Sequence, residues 1–202
     1  MTGGERPTLT VIAGPNGVGK STLTASLHDR LRVPVIDPDA IARSLHPAAP
    51  EQAAVAAGRE VIRRQLQYLE SGTSFAVETT LAGTSMLRYM EQARQRGFVV
   101  HLIFIGIDNV QTTIDRIAER VARGGHHVPA PDVRRRYARS MRNLARAIER
   151  ADHATIIDNS SDQGPREVLA IDMGRITAQV QDLPAWVTSH LGAILTPWLD
   201  GP

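Results

Sequence analysis

The sequence contains no cysteine, which excludes disulfides and thiolate-held metal as what stabilises the fold. Aromatic residues are scarce, at 4% of the chain, so there is little on which nucleic-acid bases could stack. No apolar run reaches bilayer length: the longest, Phe98 to Ile107, contains His101 and is about half of what a spanning helix needs. The opening residues, Met1 to Pro7, are polar and lack a signal-peptide core. These absences point to a soluble, cytoplasmic protein with no membrane partner. A net charge of only +2 gives little reason to expect a nucleic-acid partner. The sharpest scarcity is lysine. Lys20 is the only one, and every other basic residue except the histidines is arginine. A bias toward arginine explains the rest of the chain but not its one exception, unless an ammonium is required at position 20.

What is present suits one globular domain. The chain has 202 residues, 42% apolar and 22% charged, enough for a substantial core. Apolar runs alternate with helical patterns, the signature of an α/β fold: a mainly parallel, five-stranded sheet flanked by helices. Strands are expected at 9–14, 33–37, 74–80, 98–107 and 154–158. Helices are expected at 20–31, from Ala40, and at 51–70, 84–96, 109–123 and 132–150. On the helix at 51–70, Val55, Ile62, Leu66 and Leu69 fall at helical spacing. Beyond residue 160 the pattern changes to a C-terminal extension, with a small hairpin (168–172 and 175–181) and a helix near 184–191. Trp186 and Trp198 in that extension suit either core packing or a partner surface.

Gly14-Pro15-Asn16-Gly17-Val18-Gly19-Lys20-Ser21 matches the Walker A spacing in full. Glycines let backbone N–H groups turn inward around phosphate oxygens, and the helix that follows presents its positive end. Lys20 then reaches the β- and γ-phosphates and the Ser21 hydroxyl ligates Mg²⁺, so ATP and Mg²⁺ are the expected cofactors, with Thr22 completing the loop. The apolar segment before the loop and the amphipathic one after it supply the context the motif needs. A guanine-reading Asn-Lys-x-Asp pattern is impossible in a chain with one lysine, which excludes a GTPase of that kind. A motor would carry an apolar strand ending in a Mg²⁺-holding acid. The most apolar segment does run into Asp108, but that residue directly precedes a helix, where an acid serves as a cap.

Three further acids fall where open α/β sheets bind ligands, at strand carboxyl ends. The second strand ends in Asp37-Pro38-Asp39 and the third in Glu78-Thr79-Thr80. A carboxylate there can take the proton of an acceptor hydroxyl during phosphoryl transfer. One of Asp37 and Asp39 is expected only to cap the next helix, and Glu78 suits substrate hydroxyls or a Mg²⁺-bound water. Arginines crowd the segment 116–150, which reads as a lid. Arg116, Arg120 and Arg123 share one helical face, as do Arg135, Arg139, Arg142, Arg146 and Arg150 on the next helix. The Gly124–Pro131 loop between them reads as a hinge. Arg120 and Arg123, with one or two of Arg134–Arg136, suit the neutralisation of a transferring phosphoryl group. His126-His127 lacks acids or cysteines close in sequence, which discounts a metal site.

Several segments together resemble the zeta toxin family of P-loop kinases, in its short stand-alone branch. They are Gly14 to Thr22, Asp37-Pro38-Asp39 with Ile41-Ala42, and Glu78-Thr79-Thr80-Leu81. Further on come Gly124-Gly125-His126-His127-Val128-Pro129, Arg134-Arg135-Arg136-Tyr137, Asn143-Leu144 and Asp158-Asn159-Ser160. The match covers about 9–160, in order, and departs at Pro38 and Ala40. The resemblance implies a kinase for the amino-sugar hydroxyl of UDP-N-acetylglucosamine or a related nucleotide sugar, held inactive by an antitoxin protein. It implies Asp39 as base, Lys20 as phosphate ligand, Ser21 as Mg²⁺ ligand and Glu78 as substrate-binding acid. It also implies Arg120 with Arg135 or Arg136 as phosphate clamp, and Asn159 near the adenine. Arg123 is placed with the ATP contacts, and Asp37, Thr80 and His126 with the substrate. The residues alone also leave open a kinase for another metabolite, such as a nucleoside, sugar acid or dinucleotide, a nucleic-acid-stimulated ATPase, and a non-catalytic nucleotide-binding module.

Overall fold

The computed structural model describes residues 6–125 and 127–199, with the side chains of 27–31 and 196–199 left aside. One seven-stranded sheet organises the chain, in the order β2-β3-β1-β4-β5-β6-β7. β1 (Thr8–Ala13), β2 (Val35–Ile36), β3 (Phe75–Thr79), β4 (Val99–Gly106) and β5 (His153–Asp158) run parallel. Parallel neighbours need crossover connections. These are α1 (Lys20–Leu31), α2 (Pro38–Leu45), α3 (Ala54–Ser71, after a 3₁₀ turn at Pro50–Ala53), α4 (Ser85–Gln95), α5 (Val110–Ala122) and α6 (Ala130–Ile148). The expected hairpin is β6 (Arg166–Asp172) and β7 (Arg175–Gln179), followed by α7 (Ala185–Leu199). It is not an appendage: β6 pairs antiparallel with β5 and widens the same sheet.

The central strands read as continuous apolar runs because both of their faces are covered. Val11, Ile12 and Ala13 of β1 and Val100 and Phe104 of β4 are wholly buried. Trp186 of α7 is core rather than surface, and its ring lies over β4 at Gly106, where a Cβ would stand 2.3 Å from the indole. Gly106→Ala is therefore expected to destabilise the protein by about 1–3 kcal/mol, read as a lowered urea midpoint. An unchanged midpoint would contradict this packing. The side chain of Trp198 falls outside what the structure describes.

The helix expected from the spacing of Val55, Ile62, Leu66 and Leu69 is present as α3, although these four side chains do not form one buried stripe. Only Leu69 is buried, with Ala57 and Gln65, while Val55, Ile62 and Leu66 are exposed. Small Ala57 lets α3 meet the core through a narrow strip, leaving its larger side chains outside. The segment 116–150, expected as a lid, spans most of α5 and all of α6. α6 is amphipathic and buries Val133, Met141, Leu144, Ala147 and Ile148, so its second half belongs to the core. Arg135, Arg139, Arg142 and Arg146 form its solvent face.

Candidate active site

Because β1 lies between β3 and β4, the loops leaving their carboxyl ends open on one edge of the sheet. The loop after β1 holds Gly14, Gly17 and Gly19 at φ of +143°, +75° and +95°, values that favour glycine. At Gly14 close approach matters as well, since a Cβ would lie 2.2 Å from the Ile105 carbonyl oxygen of β4. Lys20 Nζ donates to the carbonyls of Gly14 (2.8 Å) and Pro15 (2.7 Å), bridging the loop from within. Burial pushes the Lys20 ammonium down to about 8, with the Glu78 and Asp39 carboxylates partly opposing the shift. The Asn16 side-chain oxygen is buried without a partner. Asn159 Nδ2 closes the loop from outside by donating to the Val18 carbonyl at 3.0 Å.

The acids sort themselves by geometry. Asp37 is the N-cap of α2 and accepts from the Asp39 N–H at 2.8 Å, with Arg43 at 3.6 Å. Asp39, in the first turn of α2, is exposed and accepts no hydrogen bond from the described residues. Glu78 is the last residue but one of β3, the strand beside β1, and accepts from Ser21 Oγ at 3.2 Å. Glu78 thus faces the loop serine from the neighbouring strand. Asp108 is exposed on the far side of β4, and it is not even the cap of α5: Asn109 takes that role through the Gln111 N–H.

Two cavities meet at these residues. One, of about 350 Å³, is lined by Gly17, Gly19, Ser21 and Thr22 together with Arg116, Arg120 and Asn159. The other is a cleft of about 720 Å³ between α3 and α4, floored by Glu78, Thr79 and Thr80, with Asp37 and Arg136 on its wall. Asn16, Lys20, Asp39 and Glu78 line both. A phosphate-binding loop therefore communicates with an acid-lined cleft through one lysine and two carboxylates.

The remaining expected residues divide. Gly14, Pro15 and Val18 are buried in the loop structure. Arg135 lines neither cavity; it lies on the outer face of α6, paired with Asp132 at 2.7 Å, one helical turn away. Arg123 ends α5 on the exposed side and also lines neither. His126 lies outside the described residues. Arg116 lines the loop cavity and donates to the Asn159 carbonyl at 3.0 Å; the helical arginine stripe held the signal for it. Gln65, Arg88 and Tyr89 line the cleft with no signal in the sequence to single them out. Tyr137 and Asn143 brace the site from α6. Tyr137 donates to the Ile107 carbonyl at 2.7 Å and Asn143 to the Leu81 carbonyl at 2.9 Å, holding the ends of β4 and β3. Buried Asp158 does the same for the extension, accepting from Trp186 Nε1 at 2.8 Å and from Ser160.

A parallel sheet ordered this way, with the loop after β1 and an acid at the carboxyl end of the adjacent strand, defines a P-loop kinase-like domain. The chain belongs to the AAA domain family, whose model matches residues 9–144. An uncharacterized protein of Haemophilus influenzae is 40% identical over 124 residues, 61% of this chain and 88% of that one. Among solved structures, a chain of the AvrRxo1-ORF1:-ORF2 complex with ATP superposes with a TM-score of 0.70 at 18% identity. That match covers 86% of this chain, which spans only 60% of that protein's length. A chain of the PezAT chromosomal toxin–antitoxin system of Streptococcus pneumoniae gives 0.60 at 15% identity, over 98% of this chain and 88% of that one. A putative kinase of Chloroflexus aurantiacus gives 0.54 at 21%, over 67% and 80%. At such identities the likeness is one of fold. No helix among the described residues is long and apolar enough to cross a membrane.

Proposed function

We propose that the protein transfers the γ-phosphoryl group of ATP to a hydroxyl of a small molecule, with a nucleotide sugar such as UDP-N-acetylglucosamine as acceptor, in the manner of zeta toxins. The observation that carries this reading is the sharing of Lys20, Asp39 and Glu78 between the loop cavity and the cleft. ATP suits the first cavity, where the loop glycines and the α1 N-terminus face anions. The acceptor suits the second. Its hydroxyl oxygen forms a bond to the γ-phosphorus as the bond from that phosphorus to the bridging oxygen breaks, ADP leaves, and the hydroxyl proton passes to Asp39. Asp39 is the better base of the two aspartates because Asp37 is committed as a cap. Lys20, Arg120 and Arg136 stabilise negative charge on the transferring group. The oxygen pair Ser21 and Glu78 suits Mg²⁺, which when bound neutralises phosphate charge.

Likeness in fold to a toxin–antitoxin component, over nearly the whole chain, supports a protein antitoxin as partner. The test is ADP release with Mg-ATP and a panel of acceptors: nucleotide sugars, nucleosides, sugar acids and dinucleotides. Turnover that depends on a nucleotide sugar is expected. Turnover with another hydroxyl acceptor alone would retain the kinase and overturn the substrate.

A further inference from the structure

The cleft has two ends. At one it shares Asn16, Lys20, Asp39 and Glu78 with the loop cavity; at the other it shares Arg88 and Gln92 with a groove of about 460 Å³ between α4 and the end of α6. Arg88 is exposed, and among the described residues its guanidinium makes no hydrogen bond or ion pair. The groove beyond it adds Arg146 and Arg150 against one acid, Glu91. Between the two ends, α3 turns Ile62 (47% exposed) and Leu66 (37% exposed) into the cleft. Apolar side chains left wet inside a cavity form a ligand wall rather than a core. Gly58 on the same helix has nothing within 4 Å of where its Cβ would stand, which leaves the cleft wide there.

We propose, resting on the kinase reading above, that the acceptor is an elongated anion. Its reacting hydroxyl lies at Asp39 and Glu78, its apolar or planar body on Ile62 and Leu66, and a phosphate or carboxylate group is held by Arg88. Charge sets the direction. Asp37, Asp39 and Glu78 gather at the hydroxyl end, where the cations Lys20 and Arg136 are engaged by the transferring phosphoryl group, while the Arg88 guanidinium, without a partner among the described residues, offers a planar fork to oxyanions where the cleft meets the groove. A neutral acceptor would leave that fork unused. Arg88 is thus a specificity-determining residue remote from the transferring phosphoryl group.

The test holds the loop occupied with saturating ADP. Calorimetry then measures N-acetylglucosamine, N-acetylglucosamine 1-phosphate and UDP-N-acetylglucosamine binding to the wild type and to Arg88→Gln. The two charged sugars are expected to weaken by about 10- to 100-fold in the variant. The neutral sugar should bind both proteins equally weakly, and ADP should bind both alike. Equal affinity of the charged sugars for both proteins overturns the inference. If no sugar binds the wild type, the nucleotide-sugar reading fails, and anilinonaphthalene sulfonate, an apolar-ring anion, tests the subsite alone. Dye fluorescence that depends on Arg88 sustains the inference; fluorescence that is absent or independent of Arg88 removes it.

Discussion

Asp39→Asn is expected to lower kcat for acceptor phosphorylation by about 10²- to 10⁴-fold, the range for loss of a general base, while ADP binds as before. The reasoning starts from the cap. Asp37 satisfies the N–H of Asp39, so α2 keeps its start when position 39 becomes an amide, and the loss of a first-turn charge costs only about 0.3–1 kcal/mol. The amide occupies the same volume at the junction of the two cavities but takes no proton. A contrast variant separates the two aspartates: Asp37→Asn retains an acceptor that can cap and should retain most activity. Should Asp39→Asn turn over like the wild type while Asp37→Asn does not, the roles are reversed.

Lys20→Met is expected to cost about 10²- to 10³-fold in transfer, comparable to removing one donor from a preorganised anion site, together with a loss of nucleotide affinity. Restoring charge as Lys20→Arg should not rescue it, because a guanidinium fork cannot replace a compact ammonium that donates to two loop carbonyls. The lysine also titrates. Burial favours the neutral amine and brings the group to about 8, so below that pH the folded protein bears the cost of a buried charge. That cost is relieved as pH rises from about 8 toward the ordinary value of 10.5. Anionic phosphate opposes the shift. Nucleotide binding just above pH 8 should therefore take up a proton, seen as a binding enthalpy that varies with the ionisation enthalpy of the buffer. The contribution of Lys20 to ATP affinity should be constant below pH 8 and fall above it. Proton uptake near zero across that window would show that Lys20 does not meet the phosphates.

Local signals made most of this architecture readable in advance. The five parallel strands stand within a residue or two of their apolar runs because a strand buried on both faces must be apolar throughout. The loop was readable because glycines, the lysine and the serine are contiguous. Pairing was not. Nothing in the segment 166–179 says that it joins β5, and nothing in the runs says that β3 rather than β4 carries the acid facing the loop. Strand order is decided by long-range packing. The same limit hid Arg88 and the exposed side of α3. Ile62 and Leu66 have the spacing of a core stripe, and only the placement of α4 opposite α3 turns them toward a cleft. The arginines show the converse. Their helical faces were evident, yet Arg135 is taken up by Asp132 one turn away while Arg136, its immediate neighbour, lines the cleft.

The most direct measurement follows the phosphoryl group itself. With ATP labelled at the γ-phosphate, Mg²⁺ and UDP-N-acetylglucosamine, label is expected to appear in an ester of the acceptor in proportion to ADP formed, and to vanish with Asp39→Asn. Label that appears only as inorganic phosphate, at a rate indifferent to every hydroxyl acceptor offered, would contradict the account.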